Sequence, residues 1–382
     1  MNRPSNSSSS SGDARANREL GASMPLLHTC VGAQISHVAW SPFDHDELAV
    51  ALSHSQSIYV YDVAQGLARA DRVELRPAVC KAGGHASIAY ARCEARPTLV
   101  CGGSQSCVRG WDRGGGWTSG QNRGAATCQM AWEVSIKGKM LSGDSKVVAV
   151  AACGVDSSVI VAATNDGAIS AWDASKLQVR AFGHKRSPRC LGTWRISDMV
   201  RGAAPGASIT SLGRVGTGRC LVAAVKSRNG STAAMLDVST GTCVAVLGQT
   251  SHLGPTQPEA ENKAAAGDRS AFAIAYTPLG SHGAVLSTTS SEPDVLRLTR
   301  LRRNFKDAAS IERGPPRGSA QAPFDCRTDS PSIDNAQVAQ ADATLRLPAP
   351  PTAIASHPDS GHIVLAHSSS PILVVLSPSA AS

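Results

Sequence analysis

Side chains that commonly do chemistry are plentiful in this chain of 382 residues, which has 11 His, 11 Cys and 29 Asp plus Glu. Their spacing offers them little to do. The histidines show no His-x-x-x-His or His-Glu-x-x-His pattern and no Cys-x-x-Cys pair occurs, so the ligand geometry of a zinc site has no support. No Gly-x-Ser-x-Gly elbow is present to raise a nucleophilic serine. His282, His357 and His362 belong to regions so rich in serine that nearness to one carries no information. Gly213-x-x-Gly216-x-Gly218 and the run Gly114-Gly115-Gly116 have the composition of phosphate-binding loops. Neither is a Gly-x-x-x-x-Gly-Lys loop or a dinucleotide fingerprint opening a helix, and turn glycines between strands account for both. The expectation is a non-enzymatic chain with no catalytic residue, no metal and no cofactor.

The elements that carry these residues are short. Hydrophobic residues make up 42% of the chain, enough for a real core, while only 17% are charged and 4% aromatic. The 35 Gly and 21 Pro are spread along the sequence, which suits many strands joined by turns and argues against helical bundles and coiled coils. Most cysteines sit in apolar runs such as Leu99-Val100-Cys101, Ala151-Ala152-Cys153 and Arg219-Cys220-Leu221, where a thiol acts as a small hydrophobe. Reduced, buried thiols fit a nuclear or cytoplasmic setting. The net charge of +8 comes from scattered residues; the densest groups, Leu301-Arg302-Arg303 and His184-Lys185-Arg186 with Arg189, fall short of a polybasic stripe. Neither nucleic acid nor a membrane is expected as a direct partner. Residues 1–22, with a serine run at Ser7 to Ser11, read as a disordered tail and not as a signal peptide.

From Met24 onward one pattern recurs: an apolar run, a turn, a run of small and β-branched residues, a polar turn, and a third run ending in an aromatic or Leu followed by Asp. The first unit has Ile35 to Pro42, Glu47 to Leu52 and Ser57 to Val63, with Tyr61-Asp62 at its end. The second has Gly84-His85, Ser87 to Tyr90, Thr98 to Gly103 and Cys107 to Asp112, ending in Trp111-Asp112. The third has Val147 to Cys153, Val159 to Gly167 and Ala168 to Asp173, ending in Trp172-Asp173 and followed by Gly183-His184. The fourth has Ser208 to Leu212, Cys220 to Val225 and Thr232 to Val238, with Asp237 in the aspartate slot. Two weaker copies run from Ala271 to Leu298 and from Thr352 to Leu376.

Trp-Asp closing a third strand, an acidic-glycine turn such as Asp166-Gly167 and an accompanying Gly-His together resemble the WD40 repeat. The resemblance implies an all-β propeller of six to seven four-stranded blades. It also implies a structural signature at Asp62, His85, Trp111, Asp112, Trp172, Asp173, His184 and Asp237; in the family aspartate and histidine share a hydrogen-bond network that fixes each blade, and here only Gly84-His85 with Trp111-Asp112 falls in a full repeat frame, the other blades lacking one partner. An open ring would leave two unpaired strand edges. The apolar segment Met24 to Cys30 precedes the first unit and the last unit lacks a fourth strand, so that amino-terminal segment is expected to complete the carboxy-terminal blade. The propeller then spans 23–378, with a long, disordered insertion at 302–346. A degenerate seventh blade has two candidate places, Trp194 to Arg201 and the insertion itself.

Several stretches taken together are similar to the plant TOPLESS family of transcriptional corepressors: Ser23 to Leu26, Ile35 to Pro42, Glu47 to Tyr61, Val108 to Asp112, Asp166 to Trp172, the extended turn Lys226 to Ser231, Ala273 to Thr277 and Leu347 to Pro358. That resemblance implies a nuclear scaffold contacting transcription or chromatin factors. The chain has nothing like the family's amino-terminal LisH and CTLH region, so recruitment of repression peptides by that route does not carry over. It would be a truncated relative. A substrate receptor or scaffold of a ubiquitin ligase or other multiprotein complex is the competing reading. Receptors of that kind often show Trp-Asp-x-Arg, whereas here Trp111-Asp112 is followed by Arg113-Gly114 and Trp172-Asp173 by Ala174-Ser175.

Overall fold

The computed structural model describes residues 25–376 apart from 31–32, 65–69, 77–86, 113–125, 137–144, 177–186, 250–272, 301–342 and some shorter loop positions. The expected tail at 1–22 lies outside the described residues, as does the expected insertion at 302–346 up to residue 342. Each repeat unit forms an antiparallel sheet of four strands, and six such blades build a β-propeller.

Blade 1 contains β2 (Ile35–Trp40), β3 (Glu47–Leu52), β4 (Ser57–Asp62) and β5 (Ala70–Arg76), and blade 2 contains β6 (Ser87–Cys93), β7 (Arg96–Gly102), β8 (Cys107–Asp112) and β9 (Ala126–Ser135). Blade 3 contains β10 (Val147–Cys153), β11 (Val159–Thr164), β12 (Ala168–Asp173) and β13 (Arg189–Arg195), which runs into a one-turn helix, α1 (Ile196–Met199). Blade 4 contains β14 (Ser208–Arg214), β15 (Cys220–Ser227), β16 (Gly230–Asp237) and β17 (Thr242–Gln249). Blade 5 contains β18 (Ile274–Leu279), β19 (His282–Ser287), β20 (Val295–Arg300) and β21 (Ala343–Arg346). Blade 6 contains β22 (Pro351–Ser356), β23 (Ile363–His367), β24 (Ile372–Leu376) and, from the other end of the chain, β1 (Pro25–Cys30).

Closure follows the expected route. β1 pairs antiparallel with β24, from Pro25 opposite Leu376 to Cys30 opposite Ile372. The inner strands β2, β6, β10, β14, β18 and β22 neighbour one another in that order, and β22 returns to β2. Of the places suggested for a seventh blade, Trp194 to Arg201 falls at the end of the outer strand of blade 3, Arg189–Arg195, and in α1, while the insertion lies outside the described residues up to 342 and its last residues, Ala343–Arg346, are the outer strand of blade 5. One feature has no counterpart in the repeat pattern. The outer strands β5 and β9 pair in parallel, Val73 opposite Ala126 through Arg76 opposite Gln129, so blades 1 and 2 form one eight-stranded sheet.

The second strand of a blade is covered on both faces, which is why Glu47–Leu52 and Val159–Thr164 are buried at every position instead of alternating. The described core divides into six clusters, each joining two neighbouring blades around the ring. Gly110 of β8 allows the packing around one of them, because a Cβ there would collide with the ring of buried Trp132. Four inner strands carry a register shift near their start, at Ile35/His37, Val147/Ala149, Ile209/Ser211 and Pro351/Ala353. Such irregularities increase local twist, which a strand turning around a central axis requires.

Candidate functional site at the channel mouth

Aligned on their hydrophobic residue, Val38, Ile88, Val150, Leu212, Ile274 and Ile354, the inner strands place a small residue next in every blade: Ala39, Ala89, Ala151, Gly213, Ala275 and Ala355. All six line a central cavity of about 860 Å³. Gly213, expected in a turn, lies in β14 on this wall; an added Cβ would approach Val222 Cγ2 to 2.9 Å. Gly216 does sit in the following turn, with φ +52°. His37 also lines the cavity, and its Nδ1 accepts a 3.4 Å hydrogen bond from the Ile88 backbone N–H. Removal of the ring from bulk water lowers its pKa from 6.5 to about 4, so it is a neutral acceptor at physiological pH.

Toward the carboxy-terminal ends of the inner strands and their following loops, the cavity is lined by polar and aromatic side chains, and this end is its mouth. Phe43 comes from blade 1, Arg92 from blade 2, Val155, Asp156 and Ser157 from blade 3, Arg214 from blade 4 and Tyr276 from blade 5. The Arg92 guanidinium lies over the Phe43 ring, 4.8 Å from its centroid, an arrangement that supports cation–π attraction. Its nearest described carboxylate, Asp156, is 3.9 Å away, within ion-pair range and beyond a hydrogen bond. Arg92 Nε is buried and has no hydrogen-bond partner among the described residues.

Arg214 braces the loop between β10 and β11. It donates from Nη1 to Ser157 Oγ at 2.5 Å, from Nη2 to the Gly154 carbonyl at 3.4 Å and from Nε to the Gly216 carbonyl at 2.7 Å. The Arg92 backbone N–H bonds the Ser157 carbonyl at 3.0 Å from the other side. Ser157 is the non-glycine residue with positive φ, 55°, among the described residues. A left-handed serine held by two neighbouring blades marks a loop fixed in an otherwise disfavoured conformation. What the loop presents outward is Val155, 61% exposed, one of two large hydrophobics left exposed among the described residues.

The expected signature residues lie elsewhere. Tyr61, Trp111, Trp172 and Leu236 occupy matching places at the ends of the third strands, and each is buried against the preceding blade. The aspartates that follow sit at strand ends. Asp173 accepts the Ser175 N–H at 2.8 Å, Asp237 accepts the Ser239 N–H and hydroxyl at 2.8 and 2.6 Å, and Asp112 accepts the Thr98 hydroxyl at 3.4 Å. Asp62 ends β4 opposite Glu47. His85 and His184 lie outside the described residues, as do Gly114 to Gly116. In blade 3 the carboxylate that ties a loop to the sheet is Asp166, in the β11–β12 turn: it accepts the Ser145 hydroxyl at 2.8 Å and the hydroxyl of buried Thr164. Gly167, with φ +80°, makes that turn. Asn165 completes the clasp by accepting the Lys146 N–H at 2.7 Å.

Arg92, Phe43, Val155 and Arg214 carry no motif and were not among the expected site residues. Their only sequence signal is position, one to four residues beyond the shared small residue of an inner strand.

The six-bladed propeller is the class of protein that this fold and channel define, consistent with WD40 repeats. No family model and no curated protein matches the chain. Among solved structures, Raptor of Chaetomium thermophilum superposes with a TM-score of 0.50 at 12% identity, over 93% of this chain and 28% of that one. The β-propeller domain of Cps50 (Swd1) from Myceliophteria thermophila superposes with a TM-score of 0.49 at 13% identity, over 93% of this chain and 99% of that one. At such identities the likeness is one of fold.

Proposed function

We propose that this chain is a non-enzymatic protein-interaction scaffold that receives partners at the mouth of its central channel. The observation that carries the reading is the braced β10–β11 loop, which holds Val155 61% exposed beside Phe43 and Arg92. An exposed aliphatic, an aromatic and an arginine around a concavity form the mixture enriched where proteins bind proteins. The finer reading is a TOPLESS-like corepressor propeller in the nucleus, with transcription or chromatin factors as partners. Its support is the set of collinear stretches from Ser23 to Pro358.

The test compares partner sets recovered from nuclear extract with the unaltered chain, with Val155→Glu, and with Val244→Glu as a control on the outer strand of blade 4. Loss of partners with Val155→Glu alone is the expected result. Equal recovery by all three overturns the mouth as the docking site, and recovery without transcription or chromatin factors overturns the corepressor reading.

A further inference from the structure

Among the described residues, the mouth carries more positive charge than its carboxylate neutralises. Two guanidinium groups, Arg92 and Arg214, face one described carboxylate, Asp156. They are not equivalent. Arg214 spends its donors on two carbonyls and the Ser157 hydroxyl, and so serves the loop. Arg92 is placed and underused: Phe43 covers one face of its guanidinium, Nε is sealed without an acceptor, and the Asp156 oxygen stands 3.9 Å from Nη1. Close Arg–carboxylate pairs have N···O distances of about 2.7–2.9 Å. The Asp156 side chain, 65% exposed, is therefore a loose counter-ion that solvent or a competitor can replace.

We propose that the channel mouth binds a partner peptide segment bearing a single carboxylate side chain beside an aliphatic one. This inference rests on the mouth being the docking site and names what docks there. The incoming carboxylate takes the outer nitrogens of Arg92, displacing Asp156 one charge for one. The aliphatic neighbour packs against Val155 and the apolar wall that continues through Pro42 into the lumen. A monoanion fits better than a phosphate dianion, because Asp156 stays close enough to repel the second charge and the donors of Arg214 are already engaged. Phe43 stacking and the fixed loop reduce the ordering cost of the complex.

The experiment titrates the full chain by isotope-edited NMR with three acetylated, amidated pentapeptides, Gly-Val-Glu-Val-Gly, its Gln counterpart and its phosphoserine counterpart, each to millimolar concentration. The Glu peptide is expected to bind about five- to tenfold more tightly than the Gln peptide. Arg92→Gln should erase that preference, and Asp156→Asn should strengthen Glu-peptide binding about threefold by removing the competitor. Both substituted residues are partly exposed, so the variants are expected to keep the melting temperature of the unaltered chain, which is checked first. Equal binding of the Glu and Gln peptides, with both lost in Val155→Ser, overturns the carboxylate preference while leaving the mouth as a docking surface. A tighter phosphoserine peptide overturns the monoanion. Absence of binding by the Glu peptide, or Glu binding that survives Arg92→Gln or weakens in Asp156→Asn, overturns the inference.

Discussion

Acidification should weaken the propeller through His37, and the size of the effect follows from its place in the channel. In the unfolded chain its imidazole titrates at the ordinary 6.5; in the folded ring it titrates at about 4, because enclosure among the inner strands strips away part of the water that would solvate an imidazolium. A histidine with a lowered folded pKa contributes stability that is whole above the unfolded value and is lost as pH falls from there to the folded value. The window is therefore pH 6.5 down to about 4. Integrating between the two values gives a loss of up to about 2 kcal/mol between pH 7 and pH 5. Water in the cavity screens part of this, so that figure is an upper bound.

Gln at position 37 isolates the contribution: it cannot ionise in this range, and its carbonyl can still accept the Ile88 N–H that Nδ1 accepts at 3.4 Å. Urea unfolding of the unaltered chain and of His37→Gln at pH 7, 6 and 5 supplies the comparison. Every other titrating group is common to both, so it cancels from the difference. The stability of the unaltered chain relative to the variant should fall by up to about 2 kcal/mol over that interval. A difference that stays constant with pH would refute the argument that His37 is held neutral by desolvation.

The blade 3 clasp and the strand-end aspartates should respond differently to substitution. Asp166→Ala removes acceptors from Ser145 and from buried Thr164 and should cost about 1–3 kcal/mol, with faster hydrogen exchange at Lys146 and Ala168. Asp173→Ala and Asp237→Ala, which serve their own turns, should each cost below about 1 kcal/mol in the same unfolding measurement. Gly110→Ala drives a methyl into the Trp132 ring and should cost about 1–3 kcal/mol, read as a lower melting temperature and altered Trp fluorescence. Removing residues 1–30 uncovers the edge of β24, and size-exclusion chromatography should show association of a less stable chain; an unchanged monomer with an unchanged melt would contradict closure by β1.

What the sequence made legible was whatever repeats. Three strands per unit stand out because their apolar runs recur, and the segment around Leu26 is placed by elimination because the last unit lacks a partner strand. The outer strands other than β1 escaped notice for a physical reason. β13 has no buried position, so its Arg-Cys-Leu-Gly-Thr-Trp-Arg shows neither alternation nor an apolar run. β21 is four residues long and follows a stretch whose composition reads as loop. The parallel pairing of β5 with β9 joins neighbouring blades by ladder hydrogen bonds that no repeated motif marks. The Trp-Asp emphasis drew attention to Asp173, whereas the clasp is made by Asp166 seven positions earlier, where only the turn chemistry of Asp-Gly marks it.

Site and fold separate because they are written in different parts of the same strands. Blade packing is set by the six inter-blade clusters, and the lumen by the ring of Ala39, Ala89, Ala151, Gly213, Ala275 and Ala355. Six converging strands leave little room: the added Cβ at Gly213 that meets Val222 Cγ2 would also come within 3.3 Å of the Ala275 Cα in the next blade. Small residues at this level are thus a condition of closing the ring at six with its channel open, and they would be needed whatever the channel binds. One to four residues further along, at the last positions of the inner strand or just past it, the side chains Arg92, Arg214 and Phe43 differ from blade to blade. The repeating constraint is set at the level of the small residues and the non-repeating residues follow it toward the strand ends; that is why the recurring pattern identifies the propeller and the departures from it locate the mouth.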